Sequence, residues 1–237
     1  MKKMFSIILV IIFAIVVFCF FDWIIIPRMK AQQQKQFLII ADNVQANPFK
    51  KRLIEHIAQE IAQKNAKIEV KISDLATLSL PQLSARVSPA QAPTVELKVK
   101  EWADQINAAH AIIFVIPNYH RGYPAIFKNA IDLIWEPWHT KPVMMIGYSL
   151  SNEDGINFIQ SFNDVLVTIK TEQIKPLIYM PNIAQESTLN PEMQLAVTCE
   201  INQLIDSSNQ SNYFKKMKNA ITTHLLRIIL KFINRKQ

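Results

Sequence analysis

Three stretches of this chain carry residues whose types and spacing could do chemistry. In Asn43-Val44-Gln45-Ala46-Asn47-Pro48, Asn47 and Pro48 read as the cap and first position of a helix, with Lys50, Lys51 and Arg52 following within a turn. A helix start presents free backbone N–H groups and the positive end of a dipole, so the stretch suits a phosphate. The plainer reading leaves Asn47 as a cap and the cations in water. Pro117 to Pro124, PNYHRGYP, sets aromatic rings, His120, Arg121 and Gly122 between an apolar run and a proline-initiated helix, and is the stronger signal. Gly147-Tyr148-Ser149-Leu150-Ser151 outlines a G-x-S-x-G nucleophile elbow, with Asp164 and His224 following in hydrolase order. Ser151 stands where the second glycine belongs, and several residues intervene before the next helix, which sets an esterase aside. The 5 histidines show no paired metal-ligand spacing, so no metal site is expected.

The elements that must position these stretches alternate regularly. Apolar runs at 36–41, 67–72, 111–116, 142–147 and 174–180 predict strands, and helical patterns at 48–64, 95–109, 124–135, 156–170 and 191–206 separate them. The segment 73–93 predicts a long surface loop. Such alternation implies a parallel sheet covered on both faces. With strand order 2-1-3-4-5, the loops 42–48, 117–123 and 148–155 converge at the carboxyl ends of the strands, where such sheets bind ligands. Only 3 glycines occur in 237 residues, which excludes the G-x-G-x-x-G and G-x-x-x-x-G-K-[ST] phosphate loops. Gly122 and Gly147 are expected at the edge of the site, with Gly155 just beyond. Trp102, Trp135 and Trp138 read as core or subunit contact.

The second stretch carries a resemblance. Pro117-Asn118-Tyr119-His120, then Pro124, then Phe127-Lys128-Asn129-Ala130-Ile131-Asp132 is similar to the Pro-Glu-Tyr-Asn … Pro … Leu-Lys-Asn-Ala-Ile-Asp segment of the NADPH-dependent FMN reductase family. Trp138, Lys141-Pro142-Val143 and Gly147-Tyr148-Ser149 resemble that family's continuation, and Asp74-Leu75-Ala76 with Leu80-Pro81 resembles its acidic-leucine loop. The likeness covers about 36–206.

The resemblance implies a flavodoxin-like three-layer sandwich, bound FMN, NADPH or NADH as hydride donor, and a homodimer. It places Pro117, Asn118, Tyr119 and His120 along the isoalloxazine ring, Tyr148 and Ser149 on its other side, and Asn43, Gln45 and Asn47 at the phosphate. The chemistry is the flavin's, with no catalytic side chain; His120 or Arg121 is expected to stabilise negative charge on the reduced ring, or else to face solvent. Three departures stand out: the family's Ser-x-Arg-x-x-Ser loop has Gln45 for arginine and Pro48 for the second serine, Leu150 replaces a glycine, and Asn118 and His120 replace Glu and Asn.

The net charge of +7 belongs to the ends. Beyond Asp206 there are 7 basic residues and no acidic one, and residues 1–35 hold 5 basic against 1 acidic, so the body between carries −4. A weakly acidic body excludes a nucleic-acid face. Residues 4–26 are apolar over a spanning length apart from Asp22, and Trp23 sits near their far end. They predict an uncleaved single-pass helix, or else a signal peptide. The flanking charges lean toward a cytoplasmic body. Residues 213–237 predict a basic amphipathic helix in the membrane interface, or a terminal helix packed on the body. The expected organisation is an anchor at 1–30, a stalk at 31–35, the flavodoxin-like domain at 36–206 and a tail at 207–237. The function expected is a membrane-anchored NAD(P)H-dependent FMN oxidoreductase serving a quinone, flavin or similar small-molecule acceptor. The alternative is a non-catalytic, membrane-tethered interaction module with a degenerate phosphate site.

Overall fold

Along β1 (Lys35–Ala41) successive side chains enter two different cores, Phe37, Ile39 and Ala41 on one face and Leu38 and Ile40 on the other. A strand buried on both faces in this way belongs to the middle of a parallel sheet with helices on each side. The computed structural model describes residues 34–84, 88–91, 96–152, 155–183 and 189–209. It divides into two units, Met1–Lys35 and Gln36–Gln237, and the second contains the fold described here.

From β1 the chain passes through a 3-10 turn (Val44–Ala46) into α1 (Pro48–Lys64), then β2 (Ile68–Asp74), the short α2 (Leu75–Leu78) and α3 (Leu97–Ala108). There follow β3 (Ala111–Pro117), α4 (Ala125–Asp132), a 3-10 turn at Glu136–Trp138, β4 (Pro142–Tyr148) and α5 (Ile156–Thr168). The short strands β5 (Glu172–Gln173) and β6 (Ile178–Met180) precede α6 (Pro191–Asn209). The order is β2-β1-β3-β4-β5 with β6 also paired to β4, and the described ladders run parallel, Ile39 opposite Ile113 and Ile113 opposite Met144. This is the expected 2-1-3-4-5 sheet.

Phe49, Leu53 and Ile57 of α1 join Val197, Ile201 and Leu204 of α6 on one face. Trp102 of α3, Phe127 of α4 and Phe158 and Phe162 of α5 fill the other. Trp102 and Trp138 are fully buried, and their Nε1 groups donate to the Ala130 and Ile131 carbonyls at 2.8 and 3.1 Å.

Three expectations are corrected. Of the strand expected over 174–180 only Ile178–Met180 forms, after a separate short strand at Glu172–Gln173, and Pro176 between them has no N–H to give a ladder. The surface loop expected over 73–93 is more ordered in its described part 73–84: it holds α2, Leu80 and Leu83 pack on the core, and the Asn129 amide ties it down by accepting from Leu83 N (2.8 Å) and donating to the Pro81 carbonyl (2.9 Å). The single-pass membrane location is overturned, since among the described residues no helix is long and apolar enough to cross a membrane. Both the segment 4–26 and the tail from 213 on which the membrane reading rested lie outside the described residues.

Candidate functional site

The chain leaves β1 toward β2 on one side and returns to β3 on the other, so the loops after β1 and β3 part at the sheet's switch point. A cavity of about 370 Å³ opens there, within the range of small-molecule sites, with the loop after β4 as its third wall. Asn43, Asn47, Pro117, Asn118, Tyr119, His120, Tyr148 and Ser149 all line it. Of the expected site residues, Gln45 and Arg121 do not.

At the end formed by β3 and β4, the segment Tyr119-His120-Arg121-Gly122 closes a two-residue hairpin. Tyr119 N donates to Gly122 O at 2.8 Å and Gly122 N to Tyr119 O at 2.9 Å, with His120 and Arg121 at φ of 53° and 64°. Such turns favour Asn-Gly, and a left-handed backbone costs about 1–2 kcal/mol for a residue with a Cβ. The hydrogen-bonded turn sets His120 on the cavity lining and leaves Tyr119 53 % exposed there.

Asn118 is buried behind that turn. Its N–H donates to Tyr148 O (2.7 Å) and its Nδ2 to the Tyr179 hydroxyl (2.9 Å), while its Oδ1 is buried and has no partner. An unpaired buried carbonyl costs about 1–3 kcal/mol, and the residue that carries it is part of the cavity wall. Gly155 makes the arrangement fit: a Cβ there would stand 2.5 Å from the Tyr179 ring. Gly147 also serves packing, since a Cβ there would fall 2.2 Å from Phe158. Tyr148 turns its ring to Phe49, centroids 6.2 Å apart, and Ser149 is buried with its N–H on the Met180 carbonyl (3.0 Å) and its Oγ 3.2 Å from Ser151 Oγ.

The end formed by the loop after β1 is different, because its own side chains satisfy it. Asp74, at the end of β2, accepts from Asn43 N (2.7 Å) and Val44 N (2.8 Å). Asn47 caps α1 by accepting from Phe49 N (2.9 Å) and Lys50 N (3.1 Å). Lys50 is buried and its ammonium donates to Asp42 Oδ1 at 2.9 Å, to the Asp42 carbonyl and to Asn43 O at 3.4 Å. The Asp42 carboxylate also acts across the cavity. Burial first, and Asp42 second, raise the phenol pKa values of Tyr119 and Tyr148 above the ordinary range.

Asp42 and Asp74 escaped sequence reasoning. Asp74 was visible only as part of a family pattern, and the available signal for Asp42 was that a lysine on the buried side of α1 needs a counter-charge within reach.

The description NADPH-dependent FMN reductase matches residues 35–185. The chain is 36 % identical over 104 residues to a NAD(P)H-dependent FMN reductase of Saccharomyces cerevisiae, which covers 41 % of this chain and 53 % of the relative. It is 33 % identical over 113 residues to an FMN-dependent NADPH-azoreductase of Staphylococcus aureus, covering 47 % and 59 %. The chain thus spans about half the length of these curated relatives. In fold it is similar to a flavoenzyme NAD(P)H:(acceptor) oxidoreductase from Paracoccus denitrificans, with a TM-score of 0.57, 17 % identity and coverage of 74 % of this chain and 98 % of that one. An NAD(P)H:quinone oxidoreductase from Methanothermobacter marburgensis is similar at a TM-score of 0.56 and 11 % identity, covering 75 % and 98 %.

Proposed function

The chain belongs to the NADPH-dependent FMN reductase family, and on that premise we propose that its cavity binds the isoalloxazine ring of FMN and serves hydride transfer from NADPH or NADH to a quinone, a flavin or a similar small-molecule acceptor. The observation that carries this reading is Asn118, which lines a cavity at the sheet's switch point and keeps a buried Oδ1 without a partner. A flavin ring system carries an N–H edge that matches it, so the ring end fits the cofactor. Membership of a reductase family weighs against the non-catalytic alternative.

When bound, FMN supplies the capacity to accept and release a hydride. The protein's task is binding, orientation and exclusion of water. Asn118, fixed through Tyr179, would hold the ring edge, and the exposed face of Tyr119 would cover a planar ring at the mouth and keep water off it. His120 faces the cavity and would donate toward negative charge gathering on a reduced ring, while Arg121 lies outside the lining. A homodimer belongs to the same reading.

Incubation with FMN is expected to quench flavin fluorescence and to give NAD(P)H oxidation at 340 nm. Asn118→Ala and Tyr119→Ala are each expected to lower kcat/KM at least tenfold, the first through roughly the worth of one hydrogen bond lost to a buried site and the second through the loss of the aromatic cover. Protein that stays colourless after incubation with FMN would overturn the proposal.

A further inference from the structure

We infer that this cavity takes flavins without selecting for the 5′-phosphate, so that riboflavin and FMN bind with comparable affinity. The inference rests on the flavin reading above and concerns its other end.

A phosphate monoester needs N–H donors and positive charge, since it carries about −1.5 to −2 at neutral pH. In the loop after β1 most such groups are already engaged. The N–H groups of Asn43 and Val44 are held by the Asp74 carboxylate, those of Phe49 and Lys50 by the Asn47 side chain, and that of Ala46 by the Asn43 carbonyl. The start of α1, which looks in sequence like an anion site, is thus already capped from within. The cationic side chain on this wall, Lys50, is buried and spent on Asp42, so the formal charges of the two lining residues cancel. Gln45, at the position where the family pattern has arginine, does not line the cavity. A phosphate that took the Asn43 and Val44 N–H groups would have to displace the Asp74 carboxylate, and one drawn to Lys50 would sit against Asp42. The ring end has the opposite character: Asn118 Oδ1 asks for a donor that riboflavin and FMN carry equally.

The test is a pair of fluorescence-quenching titrations of the full chain, one with riboflavin and one with FMN. A single charge-assisted phosphate contact gives about a tenfold preference. Dissociation constants within tenfold of each other are therefore the expected result, and FMN binding more than tenfold tighter overturns the inference while leaving the flavin reading intact. Failure of both flavins to bind overturns both. Asp42→Asn, with folding checked by circular dichroism, frees the Lys50 ammonium and is expected to shift the ratio toward FMN by about tenfold, with riboflavin affinity held within about threefold. An unchanged ratio in that variant overturns the role given to Asp42.

Discussion

The two ends of the cavity use similar atoms for opposite purposes. Around Asn118, a side-chain amide and a strained hairpin leave one buried acceptor unpaired and one aromatic ring exposed. Around Asn47, another side-chain amide spends its oxygen on two backbone N–H groups of its own helix, and a lysine, two aspartates and a helix start satisfy one another. The first end carries a cost that a ligand can relieve, whereas the second has already collected its stabilisation in folding. Local residue types do not distinguish the two; hydrogen-bond accounting does.

The contrast breaks most visibly at Lys50. Removing one partner of a buried ion pair leaves the other charge uncompensated, at a cost of about 3–5 kcal/mol. Lys50→Met, with side chains 4 % and 13 % exposed in the native pair, is expected to shift the urea midpoint strongly while the riboflavin dissociation constant of the folded protein moves less than about threefold. Lys50→Met combined with Asp42→Asn is expected to recover much of that loss. A variant that keeps its stability and loses riboflavin would make the first-loop end part of the binding machinery and erase the distinction.

Tyr179→Phe examines the other end at smaller amplitude. It deletes the hydroxyl that orients the Asn118 amide, worth about 1 kcal/mol of stability. Flavin affinity is expected to fall several-fold, because an amide free to rotate no longer presents Oδ1 to the cavity. Unchanged affinity would show that the burial of Asn118 alone, without Tyr179, sets its orientation.

What sequence shows of this molecule follows from the range of its signals. Asn47-Pro48 marks the start of α1 and five apolar runs place the sheet, because caps and burial patterns act within a few residues. The loops converge at the site because topology puts them there. The state of each loop depends on contacts thirty or more residues apart: Asp74 reaching Asn43, Tyr179 reaching Asn118, Asn129 reaching Pro81. The same range limit explains why the charged start of α1 suggests an anion site while the folded chain fills it, and why Gly147 and Gly155 reveal their purpose only against Phe158 and Tyr179.

The smallest effect links the two ends. Burial and then Asp42 raise the phenol pKa of Tyr119, and for Tyr148 the neighbouring Tyr119 adds a third contribution in the same direction. With folded values above the unfolded value of about 10, the native protein keeps protons that the unfolded chain releases. Their contribution to stability is fully present below pH 10 and declines as pH rises through the raised values. Phenolate absorbance at 295 nm is expected to appear later in the folded protein than in urea, and urea midpoints to fall above pH 10. Asp42→Asn removes the charge that opposes ionisation from across the cavity, so both tyrosines are expected to titrate at lower pH than in the parent. If their titration does not move, Asp42 acts only within its own loop and the two ends are electrostatically separate; if it does, the carboxylate that neutralises Lys50 also works against negative charge at the ring end, where His120 lines the cavity.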